Sequence, residues 1–228
     1  MDTGNNMKRI FLTALFSLAA SAALAEPSTN VAWTADTLNL VRSGDATRGA
    51  ALNDTLECSS CHGATGASSN NTWPSLSGQP VGYMFKVIKD YQDGKLDNSH
   101  RGVLMTYIVE EMSDQDIVDI GAFFAAQSLP AGQGSGTFEA ASLLDTLGDP
   151  ERLIPPCSVC HGSNGQGDFP DYPALAGQSP EYLARALHEF KSGTRRNDVY
   201  SRMRLISARL SDDEITELAA YFAAIDAE

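Results

Sequence analysis

Cys58-Ser59-Ser60-Cys61-His62-Gly63 returns ninety-nine residues later as Cys157-Ser158-Val159-Cys160-His161-Gly162. At the same offset Pro74-Ser75-Leu76-Ser77-Gly78-Gln79 returns as Pro173-Ala174-Leu175-Ala176-Gly177-Gln178, Tyr83 as Tyr182, Tyr91 as Phe190 and Gly94 as Gly193. One residue is then lost, because Met112-Ser113-Asp114-Gln115-Asp116-Ile117 matches Leu210-Ser211-Asp212-Asp213-Glu214-Ile215 at an offset of 98. A repeat that long means two tandem copies of one domain. Pro130 to Thr137, with Gly132, Gly134 and Gly136, has the composition of a linker. The chain is therefore expected to divide into a leader over residues 1–25, a first domain over 26–131, a linker over 132–137 and a second domain over 138–228.

Each copy reads as helical. Ser113-Asp114-Gln115-Asp116 and Ser211-Asp212-Asp213-Glu214 are helix starts, since a Ser hydroxyl and an acidic third residue satisfy the free N–H groups of a first turn. Apolar residues follow at helical spacing: Ile117, Ile120, Gly121 and Phe124 in one copy, Ile215, Leu218, Ala219 and Phe222 in the other. Residues 81–92 and 180–191 predict a second amphipathic helix per copy, and residues 45–56 an N-terminal helix in the first. The Gly-, Asn-, Ser- and Pro-rich stretches after each histidine are loops. No run alternates long enough with period two to make a sheet.

Composition narrows the function classes. Sixteen Lys and Arg face 29 Asp and Glu over 228 residues, a net charge of −13. That speaks against nucleic acid as a partner, because phosphate binding needs a basic face. Four cysteines in so long a chain are too few for a disulfide scaffold. Lys8 and Arg9 precede an apolar run from Ile10 to Ala25, interrupted only by Thr13, Ser17 and Ser21 and closing on Ala23-Leu24-Ala25. This is the order of a secretory signal, with cleavage expected after Ala25 and export from the cytoplasm. The run is short of the ~20 apolar residues a spanning helix needs.

Domains of about 100 residues built from a few helices and long loops bury little apolar surface by themselves. C-x-x-C-H supplies the missing mass, being the attachment signature of c-type haem. Two covalently bound haem c groups are expected, one on Cys58 and Cys61, the other on Cys157 and Cys160, with His62 and His161 each offering an imidazole to iron. Three other readings compete. A thioredoxin-like pair needs a βαβ context, a structural zinc site needs four ligands, and a disulfide across three residues closes too small a loop to matter.

The repeat also selects the opposite ligands. Met203 lies seven residues before Leu210, and Met105 lies seven before Met112. Met84 and Met112 face Leu183 and Leu210 in the other copy, as core positions do. Met105 and Met203 are the expected sixth ligands. A thioether favours Fe(II) and raises the reduction potential, and with both axial positions filled each iron is expected to be a one-electron shuttle. Pro74 and Pro173 are expected to offer carbonyls to the His Nδ1–H groups. Trp73, Tyr83, Tyr91, Tyr172, Tyr182 and Phe190 are expected to pack on the porphyrins. His100 and His188 have no histidine counterpart and read as surface residues.

CxxCHG, then P-x-L-x-G-Q, then a methionine before L-S-D-x-[DE]-I is a pattern that resembles the two-haem class I cytochromes c, specifically the cytochrome c4 family, over nearly all of residues 44–225. The first copy departs from it only in having Met112 for the last Leu. The stretch from Gly148-Asp149-Pro150 to Cys157 is five residues shorter than that from Gly44-Asp45 to Cys58, which speaks against a second N-terminal helix. The resemblance implies an all-α fold of two tandem class I cytochrome c domains facing each other about a pseudo-two-fold axis. It implies a periplasmic electron carrier, not itself an enzyme, passing electrons from a quinol-oxidising complex or dehydrogenase to a haem-copper terminal oxidase, and meeting membranes only through these partners. A second reading is the dihaem subunit of a flavocytochrome sulfide dehydrogenase or of a related sulfur-oxidising enzyme. Basic residues cluster at Arg185, Lys191, Arg195, Arg196, Arg202, Arg204 and Arg209. They are expected to form a partner surface or to hold propionates.

Overall fold

The computed structural model describes residues 28–97 and 99–226, so the predicted leader and its cleavage point lie outside the described residues. In chain order these residues form α1 (Ala35–Arg42), α2 (Ala46–Leu56), α3 (Cys58–His62), α4 (Val81–Gln92), α5 (His100–Val109), α6 (Asp114–Ala125), α7 (Glu139–Thr146), α8 (Ser158–His161), α9 (Pro180–Ser192), α10 (Arg202–Ser207) and α11 (Asp212–Ala224). Among the described residues there is no strand, only the isolated bridges Asp149–Ile154 and Asp168–Tyr172.

The two predicted helix starts are capping boxes. Ser113 Oγ accepts the Asp116 N–H while the Asp116 carboxylate accepts the Ser113 N–H, and Ser211 and Glu214 do the same. The apolar stripes that follow are the centres of two separate cores. Ile117, Ile120 and Phe124 are buried with Val41, Met84, Phe85, Ile88, Val109 and Val118. Ile215, Leu218, Ala219 and Phe222 are buried with Ala141, Leu144, Ile154, Leu183 and Leu210. Met84 is thus a core residue, as its pairing with Leu183 implied.

In the first copy α2 crosses α6 at van der Waals distance. A Cβ on Gly49 would lie 2.0 Å from the Asp119 carbonyl oxygen, so only glycine permits this approach. Beside it the buried Asp119 carboxylate accepts the Asp45 N–H at 2.8 Å and Arg48 Nε and Nη2 at 2.6 and 2.8 Å.

The second copy corrects the expectation that it lacks an N-terminal helix. α7 packs on α11 as α2 packs on α6, but it ends before Gly148. The shorter stretch after it is a tight turn closed by Asp149 N–H to Ile154 C=O at 2.7 Å and the reciprocal bond at 2.9 Å. Aligning the two Gly-Asp pairs misplaced the helix. Helices α1, α5 and α10 were not anticipated either, because each is short and α5 has Val103, Leu104 and Tyr107 exposed, which blurs any apolar stripe.

A reciprocal handshake joins the copies. Gln79 Nε2 donates to the Ala174 carbonyl at 2.8 Å and Gln79 Oε1 accepts the Ala174 N–H at 3.0 Å. Gln178 Oε1 accepts the Ser75 N–H at 2.9 Å and Gln178 Nε2 donates to the Ser75 carbonyl at 3.0 Å. Equivalent residues exchanging equivalent bonds are the signature of a two-fold contact, here within one chain. At the periphery a Cβ on Gly82 would lie 1.9 Å from the Pro170 carbonyl oxygen, and the Arg42 guanidinium lies over the Phe169 ring at 5.1 Å.

Candidate haem sites

Each CxxCH segment is a short helix ending in its histidine, and both imidazoles are buried. The loop beyond is folded back in the same way twice. The Gly66 carbonyl accepts the N–H groups of Leu76 and Ser77 at 2.7 and 3.2 Å, and the Gly165 carbonyl accepts those of Leu175 and Ala176 at 2.7 and 3.0 Å. This turn sets the preceding proline against the imidazole. His62 Nδ1 lies 2.8 Å from the Pro74 carbonyl oxygen and His161 Nδ1 lies 2.9 Å from that of Pro173.

A carbonyl only accepts, so Nδ1 must carry the proton and Nε2 keeps its lone pair. Burial lowers the pKa of both histidines, with the carbonyl bond opposing it. Both rings are therefore neutral near neutral pH, the form in which imidazole donates to a metal. In the second copy the Tyr172 ring meets His161 edge-on with centroids 6.4 Å apart.

The four cysteines are free thiols, half-buried, within one helical turn of each histidine. Burial pushes the Cys58 thiol up and the Cys157 thiol up to about 12. A thioredoxin-like pair needs a βαβ context, and no strand forms among the described residues, so that reading fails. No three His, Cys, Asp or Glu side chains are grouped to hold a metal ion among the described residues.

The two selected methionines occupy equivalent elements. Met105 lies on α5 and packs against the first core. Met203 lies in the first turn of α10. Helix α5 packs on α4 and helix α10 packs on α9. Met112 packs against the first core, its counterpart Leu210 is buried in the second, and His100 and His188 are exposed as expected.

The basic cluster is not the open surface its sequence promised. Arg202 pairs with Asp171 at 2.8 Å and stacks on Tyr172 at 4.6 Å. Arg204 pairs with Asp198 at 2.7 Å and Lys191 with Asp212 at 2.7 Å. Arg195 is buried. The Arg202 and Arg204 guanidinium groups brace loops because each meets an aspartate of the second copy, Asp171 and Asp198. The glutamines of the handshake are the residues whose role sequence reasoning missed, although their recurrence at the repeat offset was the signal.

These residues fit haem. Neutral imidazoles with Nε2 available and two half-buried thiols within one helical turn of each are the donor set that c-type haem takes.

The sequence profile of the cytochrome c family matches residues 46–127 and 155–225, once in each copy. Cytochrome c4 from Azotobacter vinelandii is 36% identical over 172 residues, covering 72% of this chain and 82% of that protein. The thiosulfate dehydrogenase electron acceptor of Stutzerimonas stutzeri is 35% identical over 182 residues, covering 78% and 82%. The crystal structure of reduced recombinant cytochrome c4 from Pseudomonas stutzeri superposes with a TM-score of 0.72 at 31% identity, covering 81% of this chain and all of that one. With its helical halves repeating one imidazole cradle about a pseudo-dyad, the chain belongs to the cytochrome c4 family and is a dihaem electron carrier with two covalently bound haem c groups.

Proposed function

We propose that Cys58 and Cys61 bind the first haem through thioethers and Cys157 and Cys160 the second, that His62 and His161 are the proximal ligands, and that Met105 and Met203 are the distal ones. Haem held in this way supplies reversible one-electron chemistry at iron. The carbonyls of Pro74 and Pro173 fix each imidazole in the Nε2-donor tautomer and hold its plane, which raises its basicity. Met105 and Met203 would each offer a thioether to the iron, and with both ligands supplied by the chain the haem would carry electrons without taking a substrate. In the second copy the Tyr172 ring, edge-on to His161, shields that imidazole from water. The observation that carries this reading is the duplicated Nδ1 to proline-carbonyl bond, 2.8 and 2.9 Å in copies ninety-nine residues apart.

Replacing Met105 by His is expected to abolish about half of the weak red charge-transfer absorption that a thioether gives with Fe(III), and Met203→His the other half. A spectrum unchanged in either variant overturns the assignment for that site.

The carrier works in the periplasm, with the leader cleaved after Ala25 and the two domains spanning 26–131 and 138–228 around the linker at 132–137. No helix among the described residues is long and apolar enough to cross a membrane. Upstream stands a quinol-oxidising complex or a dehydrogenase, downstream a haem-copper terminal oxidase. A second reading, electron acceptance from a sulfur-oxidising dehydrogenase, is supported by the likeness to a thiosulfate dehydrogenase electron acceptor. Stopped-flow reduction separates the two. Faster reduction by quinol plus a quinol-oxidising complex supports the first, and faster reduction by thiosulfate plus thiosulfate dehydrogenase supports the second.

A further inference from the structure

Beside the second CxxCH segment lies a carboxylate that no cation balances. Asp145, in the last turn of α7, is 1% exposed. Its Oδ2 accepts from the Tyr221 hydroxyl of α11 at 2.9 Å, and its Oδ1 is buried without a hydrogen bond. Among the described residues Asp145 enters no ion pair. The backbone at this point holds the segment that carries the cysteines. The Asp145 carbonyl accepts from Ser158 Oγ at 2.7 Å, and the Leu144 carbonyl accepts the Cys157 N–H at 3.4 Å. A negative charge kept from water with so little hydrogen bonding is costly, and binding a proton removes the cost.

The groups that face Asp145 supply no positive charge. From α11 comes Tyr221, whose phenol is pushed up to about 12 by burial and by its bond to Asp145, so it donates and stays neutral. From the CxxCH segment come Ser158 and Cys157, the latter a thioether once haem is attached. Glu139 on the exposed first turn of α7 is itself acidic. Glu217 of α11 is acidic too, and accepts the Ala140 and Ala141 N–H groups at 3.0 and 3.2 Å. Arg152, in the turn after α7, is paired with Asp149 and Glu214. Burial therefore pushes the Asp145 carboxyl up from its ordinary 3.8, against the Tyr221 hydroxyl and the Ser158 N–H.

The repeat supplies a control, because the first copy lacks both halves of the pair. Ninety-eight residues before Tyr221 stands Phe123, which has no hydroxyl. Ninety-nine residues before Ser158 stands Ser59, and its Oγ donates at 2.7 Å to Oδ1 of Asn53 on α2, an amide that does not titrate. Carboxylate and phenol occur together in one copy and are replaced together in the other by an amide and a bare ring.

We propose that Asp145, held by Tyr221 beside Cys157, is a proton-binding site coupled to the second haem, a coupling that the first haem lacks. The proposal rests on the two-haem reading above. One electron from the redox partner takes Fe(III) to Fe(II) and removes a positive charge near the carboxylate. One proton from solvent then converts the Asp145 carboxylate to the carboxylic acid, and oxidation by the next partner releases both. Reduction and protonation favour each other to the same extent, through one Coulombic interaction.

The test follows both midpoint potentials of the haem-loaded protein against pH for wild type, Asp145→Asn and Tyr221→Phe. The midpoint that Met203→His displaces belongs to the second haem. In the wild type that midpoint is expected to fall as pH rises through a window above 3.8, more steeply than the first. Asp145→Asn is expected to remove the excess slope. Tyr221→Phe removes a bond that favours the ionised carboxylate, so it is expected to keep the slope and move the window to higher pH. Reduced-minus-oxidised infrared spectra are expected to gain a carboxylic-acid C=O band in the wild type that Asp145→Asn lacks. Equal slopes at the two haems, an excess slope that survives Asp145→Asn, or a window that Tyr221→Phe leaves in place overturns the proposal. If Asp145→Asn fails to load haem, the Tyr221→Phe window and the infrared band decide by the same criteria. Absence of the thioether charge-transfer band from the wild type sinks the ligand assignment itself, whereas an intact band with equal slopes sinks only the role of Asp145.

Discussion

At the scale of single residues, one partly exposed side chain can tie several elements together, and Arg152 shows how much it joins. It donates from Nε to Asp149 at 2.6 Å and from Nη1 and Nη2 to the Glu214 carboxylate at 2.9 and 2.7 Å. Glu214 is also the third residue of the α11 capping box. The Arg152 guanidinium draws the Glu214 pKa down from its ordinary 4.5 to about 2, with burial opposing. A depressed folded-state value means that the stabilisation is fully present above the unfolded pKa and is lost as pH falls through the folded one. The haem-loaded wild type is therefore expected to lose stability between about pH 4.5 and pH 2, and Glu214→Gln to start less stable and show a shallower loss. Denaturant midpoints measured across that range decide it, and parallel curves for the two proteins contradict the linkage.

At the scale of elements, the first core depends on a helix crossing that only glycine permits. A Cβ on Gly49 would meet both the carbonyl oxygen and the carbonyl carbon of Asp119, at 2.0 and 2.6 Å. Backbone atoms cannot swing aside, so α2 must move off α6. Gly49→Ala is expected to cost about 1–3 kcal/mol and to leave the second copy, which has its own core, untouched. Calorimetry should show the loss, and hydrogen exchange should confine it to α2 and α6. Unchanged protection in both helices would mean that the crossing has slack. The cap of α6 offers a milder comparison, since Ser113→Ala removes one side-chain acceptor and is expected to cost about 1 kcal/mol.

At the scale of the whole molecule, the pseudo-dyad makes quantitative demands. The four bonds of Gln79 and Gln178 attach to Ala174 and Ser75, the residues immediately after the prolines that hold the imidazoles. The contact between copies is thus tied to the backbone on which each histidine rests. Gln79→Ala strips the partner from the N–H and the carbonyl of Ala174, and Gln178→Ala from those of Ser75 and from the Ser179 N–H as well, each at a cost of about 1–3 kcal/mol. The two losses are expected to be alike because the contact is two-fold, and together they should loosen one copy from the other. Chemical denaturation of the haem-loaded single and double variants, with small-angle scattering to read separation, checks both points. A large loss from one glutamine and none from the other would deny the symmetry.

Sequence alone determined that this chain is two helical copies, where each copy begins its last helix, and which histidines and methionines recur together. These properties are local or periodic, carried by cap chemistry, apolar spacing and repeat offset. The loops after the histidines and the exposed positions of His100 and His188 were legible for the same reason. The tertiary structure decided what depends on neighbours distant in the chain. It placed the second N-terminal helix before Gly148 and not after it, because packing against α11 rather than motif alignment defines that helix. It turned a basic cluster into internal ion pairs, since Arg202 and Arg204 meet aspartates within the fold. It also brought Gln79 to Ala174 and Arg195 to Tyr83, contacts between residues about 100 positions apart that no local pattern encodes.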